Sequence, residues 1–165
     1  MEHILVIGGA GYIGSILCEH LIDSGYKVTV LDNLMYKQQS LFHLCANPKF
    51  HLEFGDACDP PRVSGLLKNV DIIIPLAAIV GANACDLNPQ LAQSVNLESI
   101  RLLNRLRSST QLIVFPNTNS GYGTNPENFY CTEDTPLKPI TQVQPPPAPA
   151  QPHVTVQIPP LTPSP

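Results

Sequence analysis

Ile4-Leu5-Val6-Ile7-Gly8-Gly9-Ala10-Gly11-Tyr12-Ile13-Gly14 stands near the start of the chain, and Lys27-Val28-Thr29-Val30-Leu31-Asp32 follows it. Four consecutive apolar residues that end on glycine suit a strand buried on both faces of a parallel sheet. From Ile13 onward Ile16, Leu17 and Leu21 recur at helical spacing, and Gly25 stands where a helix C-terminus belongs. Lys27 to Leu31 reads as a second strand, so strand, helix and strand succeed one another within about thirty residues.

Each glycine of Gly9-x-Gly11-x-x-Gly14 has a mechanical use: a tight turn after the strand, close approach of backbone N–H groups to a pyrophosphate, and close contact between helix and strand. The pattern is the dinucleotide fingerprint. The helix that starts there turns its partial positive charge toward the phosphates. Asp32 lies 18 residues beyond Gly14. An acidic side chain there can accept hydrogen bonds from the adenosine ribose and repels a 2′-phosphate, which favours NAD over NADP. Asp56-Ala57, after the third strand candidate, can bracket the adenine, with Asp56 accepting from the exocyclic amine. A turn or helix-cap role is equally open to an Asp in that position.

The alternation continues. Phe50 to Phe54 is a strand candidate, Asp59-Pro60 can cap and open a helix to Lys68, and Asp71 to Ile74 reads as another buried strand. Asn88-Pro89 opens the longest helical pattern, in which Leu91, Val95, Leu102, Leu103 and Leu106 can share a face, and Gln111 to Phe115 is a fifth strand candidate. Five strands alternating with helices imply an α/β fold with a doubly wound parallel sheet of Rossmann type. After Pro139 the character changes: from Ile140 to Pro165 the one ionisable side chain is His153, and 9 of the chain's 18 prolines fall there. We therefore expect an NAD-binding domain over residues 1–139 and a disordered proline-rich tail over residues 140–165. The spacings Pro146-x-x-Pro149, Pro149-x-x-Pro152 and Pro160-x-x-Pro163 suit a polyproline ligand, but no Arg or Lys flanks them.

Composition narrows the remaining classes. With 165 residues, 43% hydrophobic and 13% charged, the chain is sized for one globular core. A formal net charge of -4 without clustered Lys or Arg argues against nucleic acid or an anionic membrane surface as a partner. Cys18, Cys45, Cys58, Cys85 and Cys131 contain no C-x-x-C pair and read as reduced thiols, as in the cytoplasm. Glu2 stands where a signal peptide would carry a positive charge, and the apolar run Ile72 to Ala82 is too short to span a bilayer. The five histidines are too dispersed for a metal site.

More residues now bear on the reading. Gly8-x-x-Gly11-x-x-Gly14, Leu31-Asp32-Asn33-Leu34, Gly55-Asp56, Leu76-Ala77-Ala78, Asn96 and Asn119-Ser120-Gly121-Tyr122-Gly123 together resemble the extended short-chain dehydrogenase/reductases. Within them, the set is similar to the NAD-dependent epimerase/dehydratase group that acts on nucleotide sugars, over roughly residues 3 to 139. The resemblance implies that Gly8, Gly11, Tyr12, Ile13 and Gly14 hold the pyrophosphate, and that Asp32 and Asn33 hold the adenosine ribose. It places Asp56 and Ala57 at the adenine and Leu76, Ala77 and Ala78 along the cofactor's middle, and it has Asn96 fix the helix beside the site. Pro75 departs from the polar residue the family often carries there. Thr118, five residues before Gly123, takes the place of the family's catalytic Ser or Thr and would hydrogen-bond the sugar near the nicotinamide.

The family's general base is a Tyr followed four residues later by Lys, whose ammonium helps pull the phenol pKa down from about 10. Here Tyr12, Tyr26, Tyr36, Tyr122 and Tyr130 are followed at that spacing by Ile16, Val30, Ser40, Pro126 and Asp134. No pair forms. The segment Glu133 to Ile140, which precedes the Tyr/Lys helix in the family, runs here into Gln-Pro-Ala sequence. We therefore expect an epimerase/dehydratase relative truncated before that helix, whether by nature or by a gene-model error, that holds NAD and does not turn over alone. A nucleotide sugar is the substrate expected in the intact family, and a family-type homodimer is not expected here. The alternatives are a non-catalytic NAD-binding regulatory module and a proline-rich adaptor.

Overall fold

A computed structural model describes residues 1–116, Tyr122, Thr132 and Thr135. Five strands form one parallel sheet: β1 (His3–Ile7), β2 (Lys27–Asp32), β3 (Phe50–Phe54), β4 (Ile72–Pro75) and β5 (Leu112–Ile113), in the order β3-β2-β1-β4-β5. This is the Rossmann order that the alternation of strand and helix signals predicts. The chain leaves β1 toward β2 on one side, while β4 lies on the other, so the carboxyl ends of β1 and β4 flank a crevice.

Alternation of side chains along the strands builds two cores. Ile4, Val6, Val28, Val30 and Ile74 join Cys18 and Ile22 of α1 (Tyr12–Asp23) on one face. Leu5, Ile7, Leu31 and Ile73 pack on the other face against Val63 and Leu67 of α2 (Pro60–Leu67) and Leu102 and Leu103 of α5 (Ser99–Leu106). Burial on both faces explains why β1 is uninterruptedly apolar over residues 4–7, each such side chain contributing about 1.5–3 kcal/mol.

Helix boundaries follow local chemistry, with some departures from the pattern. Gly25 adopts φ 95° one residue beyond the C-cap of α1, and its N–H donates to Ile22. The side chain of Asn88 accepts from the Leu91 N–H and starts α4 (Pro89–Gln93). A π-helical turn, Ser94–Glu98, joins α4 to α5, so the long predicted helix exists with one widened turn. One expectation is corrected: the Asp59 side chain makes no capping bond at α2 and instead lies 3.8 Å from Arg62. A further short helix, α3 (Ala82–Leu87), follows β4. Pro75 ends an interior strand. The Leu76 N–H donates to Ile7 of β1, so the N–H that proline lacks would point toward β5, where the last hydrogen bond to β4 runs from the Val114 N–H to the Ile73 carbonyl.

Gln111 ties β5 to the rest. Its buried Nε2 donates to the carbonyls of Leu67, the last residue of α2, and of Val70 just beyond it, at 2.6 and 2.7 Å, and its Oε1 accepts from the Ser108 N–H at 2.9 Å. Both of its side-chain N–H donors and its carbonyl oxygen are engaged within the fold. Thr118, Cys131 and the tail, residues 140–165, lie outside the described residues.

Two outcomes follow. Replacing Gln111 by Leu strands two buried carbonyls and should lower stability by about 2 kcal/mol or more, read as the free energy of urea unfolding. Burial pushes the Cys18 thiol up to about 12, with the neighbouring Glu19 carboxylate adding to the rise. In the native protein at pH 8 a thiol-specific reagent should therefore modify exposed Cys45 and leave Cys18 unmodified until denaturant is added.

Candidate functional site

The turn after β1 is shaped by contacts that only glycine permits. Gly8 has φ 81°, its N–H donates to Leu31, and a Cβ there would lie 2.4 Å from the Ala77 nitrogen. Gly9 and Gly14 touch each other: a Cβ on Gly14 would come within 2.5 Å of the Gly9 carbonyl oxygen, and one on Gly9 within 2.8 Å of both Val30 methyls. Gly11 differs. A Cβ there would meet only the Gly8 carbonyl oxygen at 3.3 Å, so the fold itself makes a weak demand on that position. What its bareness leaves open is the N-terminus of α1, where Gly11 is the N-cap, no side chain caps, and the first turn carries no acidic residue. Such a helix end is suited to an anion.

An open groove runs along the carboxyl edge of the sheet from this turn. Among the residues expected at the site, Gly8, Gly11, Asp32, Asn33, Asp56, Ala57, Leu76, Ala77 and Ala78 line it together. Tyr12, Ile13, Gly14 and Asn96 do not. Tyr12 and Ile13 begin α1 with exposed side chains, and Gly14 is buried against Gly9. The Asn96 side chain accepts from the Ile79 N–H at 2.8 Å and donates to the Ile79 carbonyl at 2.9 Å, which fixes the loop after β4 onto the π-helical turn. It shapes the groove wall from behind.

Asp32 closes one end of the groove. It is 7% exposed; its Oδ2 accepts from the Ala10 N–H at 3.0 Å, and its Oδ1 accepts from the Leu34 N–H at 2.8 Å and from Gln38 Nε2 at 3.5 Å. The carboxylate thus holds the glycine turn to the end of β2. A carboxylate has about four lone-pair positions, so Oδ2 keeps one in reserve. Beside it, Gln38 Oε1 is buried with no hydrogen-bond partner. A carboxylate oxygen with a spare lone pair and an amide oxygen without a donor stand at this end, which fits a vicinal diol. Asp56 is exposed, and its Oδ1 accepts from the Cys58 N–H at 2.8 Å, the turn role that an Asp after a strand also permits.

The loop between Asn33 and Ser40 was silent to sequence reasoning, yet Met35, Tyr36 and Gln38 all line the groove. Leu34 and Lys37 have φ of 50° and 54°, conformations that L side chains rarely adopt, and the Lys37 N–H donates to the Leu34 carbonyl. The Ser40 hydroxyl donates to the Ala10 carbonyl at 2.7 Å and anchors the loop to the glycine turn. A second cleft, between Cys58, Ser94, Glu98, Arg101 and Arg105, shares no lining residue with the groove and meets it where Cys58 follows Ala57. Among the described residues no three His, Cys, Asp or Glu side chains converge on a metal position, and no helix is long and apolar enough to cross a membrane.

Comparison with known proteins adds a family. The sequence profile of the NAD dependent epimerase/dehydratase family matches residues 4–145. A putative UDP-arabinose 4-epimerase 4 of Arabidopsis thaliana is 30% identical over 151 residues, covering 85% of this chain and 34% of that protein. A UDP-glucose 4-epimerase of Lactobacillus helveticus is 33% identical over 141 residues, covering 83% of this chain and 41% of that protein. The fold is similar to a crystal structure of UDP-glucuronic acid 4-epimerase from Bacillus cereus in complex with UDP-glucuronic acid and NAD. That similarity has a TM-score of 0.75 at 27% identity, over 86% of this chain and 47% of that one. The chain therefore spans less than half the length of these relatives.

The glycines offer a direct separation of fold from surface. Gly8→Ala and Gly14→Ala should each lower stability by about 2 kcal/mol or more through left-handed strain or backbone overlap, while Gly11→Ala should leave the melting temperature within a few degrees of wild type. Thermal melts of the three variants provide the check.

Proposed function

The chain belongs to the NAD dependent epimerase/dehydratase family, and we propose that it binds NAD in the groove along the β1 and β4 ends as a unit of nucleotide-sugar redox chemistry. The observation that carries this reading is the convergence of a bare helix N-terminus at Gly11 with two donor-seeking acceptors, Asp32 and Gln38, at one end of a single groove.

When bound, NAD supplies a hydride acceptor. The chain's own part is to hold and orient it. The backbone N–H groups at the start of α1 take the pyrophosphate, a position that any side chain on Gly11 would obstruct. Asp32 takes a ribose hydroxyl, and its negative charge opposes a 2′-phosphate. Ala57, nine-tenths buried, offers a flat apolar wall to the adenine, while Leu76, Ala77 and Ala78 line the middle of the path. Asn33 adds a polar side chain beside the ribose, and Tyr12 and Ile13 contribute backbone rather than side chain.

Proton transfer is the step for which this sequence has no evident base, because no Tyr is followed four residues later by Lys. Thr118 would hold the sugar hydroxyl in the family arrangement but cannot replace a tyrosinate as proton acceptor. We infer that these 165 residues alone bind cofactor without turning over nucleotide sugars. A non-catalytic regulatory module would share the first property, and a proline-rich adaptor would need neither.

Calorimetric titration of the chain with NAD, followed by addition of UDP-glucose and other nucleotide sugars while absorbance at the NADH band is followed, tests both halves. Binding with no NADH and no change in the sugar supports the reading. Absence of binding contradicts the cofactor role, and turnover contradicts the account of the missing base.

A further inference from the structure

Gln38 occupies a position that the glycine fingerprint does not cover. It follows Lys37, at φ 54°, in a loop held at both ends to the glycine turn, by Asp32 to the Ala10 N–H and by Ser40 to the Ala10 carbonyl. The left-handed conformations at Leu34 and Lys37 each disfavour an ordinary side chain. A loop that keeps two such residues is bent for a purpose, and what the bend delivers is the Gln38 amide beside the Asp32 carboxylate. The nitrogen end donates to Asp32 Oδ1 over a long 3.5 Å, and the oxygen end is buried without a donor. A buried carbonyl left in that condition disfavours the ligand-free loop.

We propose that Gln38 is an adenosine-ribose recognition residue, whose Oε1 accepts from one hydroxyl of the ribose while the spare lone pair of Asp32 Oδ2 accepts from its vicinal neighbour. This rests on the NAD reading above and deepens it. A cis-diol presents two donors side by side, and at this end of the groove the Asp32 carboxylate, with a spare lone pair, has next to it an amide whose buried oxygen lacks a donor. The last torsion of a glutamine is soft, so a modest rotation brings the buried oxygen to the groove wall, and the long contact to Asp32 yields readily. Asp32 alone serves any ribose hydroxyl. With Gln38 beside it, the site reads the pair, so the loss of one particular hydroxyl is felt through Gln38.

The test is calorimetric titration of wild type, Gln38→Met and Gln38→Ala with ADP, 2′-deoxy-ADP and 3′-deoxy-ADP. Met matches the volume of glutamine without its hydrogen bonds, and thermal melts establish that each variant folds. Wild type should bind ADP more tightly than both deoxy forms. Both variants should bind ADP about three- to tenfold more weakly than wild type, the size of one neutral hydrogen bond, and should lose the penalty for one deoxy form while keeping the other. Unchanged ADP affinity in the variants, or both penalties persisting in them, overturns the assignment to Gln38 and leaves the cofactor reading intact. Equal binding of all three nucleotides by wild type overturns the assignment without any variant. Failure of wild type to bind either ADP or NAD removes the cofactor reading, and this inference with it.

Discussion

The carboxylate of Asp32 joins the two segments on which the groove depends. From the end of β2 it holds the Ala10 N–H of the glycine turn with one oxygen and the Leu34 N–H of the following loop with the other. A buried carboxylate is costly unless its hydrogen-bonding positions are met, and here protein donors meet all but a small remainder. That remainder is what faces a ligand. The same group that fixes the turn's position relative to β2 therefore sets where a nucleotide's ribose can lie, so architecture and recognition are not separable at this residue.

Close backbone approach is the second constraint. Gly8 lets the chain pass against Ala77 at the end of β4, and Gly9 with Gly14 lets α1 settle onto the turn and Val30. These contacts draw the ends of β1, β2 and β4 together into one wall. Behind that wall, Asn96 holds both backbone polar groups of Ile79, so the loop after β4 is located by a side chain of the π-helical turn. The groove is thus defined from three directions by short contacts that leave little freedom.

Much of this was legible because it is periodic or steric. Continuous apolar runs at Ile4–Ile7 and Ile72–Ile74 give strands buried on both faces, Asn88-Pro89 announces a helix start, and the spacing of Gly8, Gly11 and Gly14 to Asp32 follows from backbone geometry. The loop from Asn33 to Ser40 was not legible. Left-handed Leu34 and Lys37 violate the local preferences from which turns are read, and the anchor of Ser40 on Ala10 is a contact across 30 residues that no local pattern encodes. The widened turn at Ser94–Glu98 and the missing side-chain cap at Asp59 were hidden for a similar reason. Tertiary contacts, such as Cys58 Sγ against the Ser94 carbonyl at 3.4 Å, surround those positions. Asp32 lies between the cases: its position in sequence indicates a ribose acceptor, while its bonds to Ala10 and Leu34 appear only in three dimensions.

The central claim is that one groove of this chain receives a dinucleotide, and amide chemical-shift mapping by NMR during addition of NAD tests it most directly. The account predicts large shifts for the Gly8, Gly11 and Ile13 amides, for Asn33 and Gln38 in the loop, and for Ala77 and Ala78, with the far wall of the second cleft, Glu98, Arg101 and Arg105, undisturbed. Shifts gathered at that second cleft, or none at saturating NAD, would contradict it.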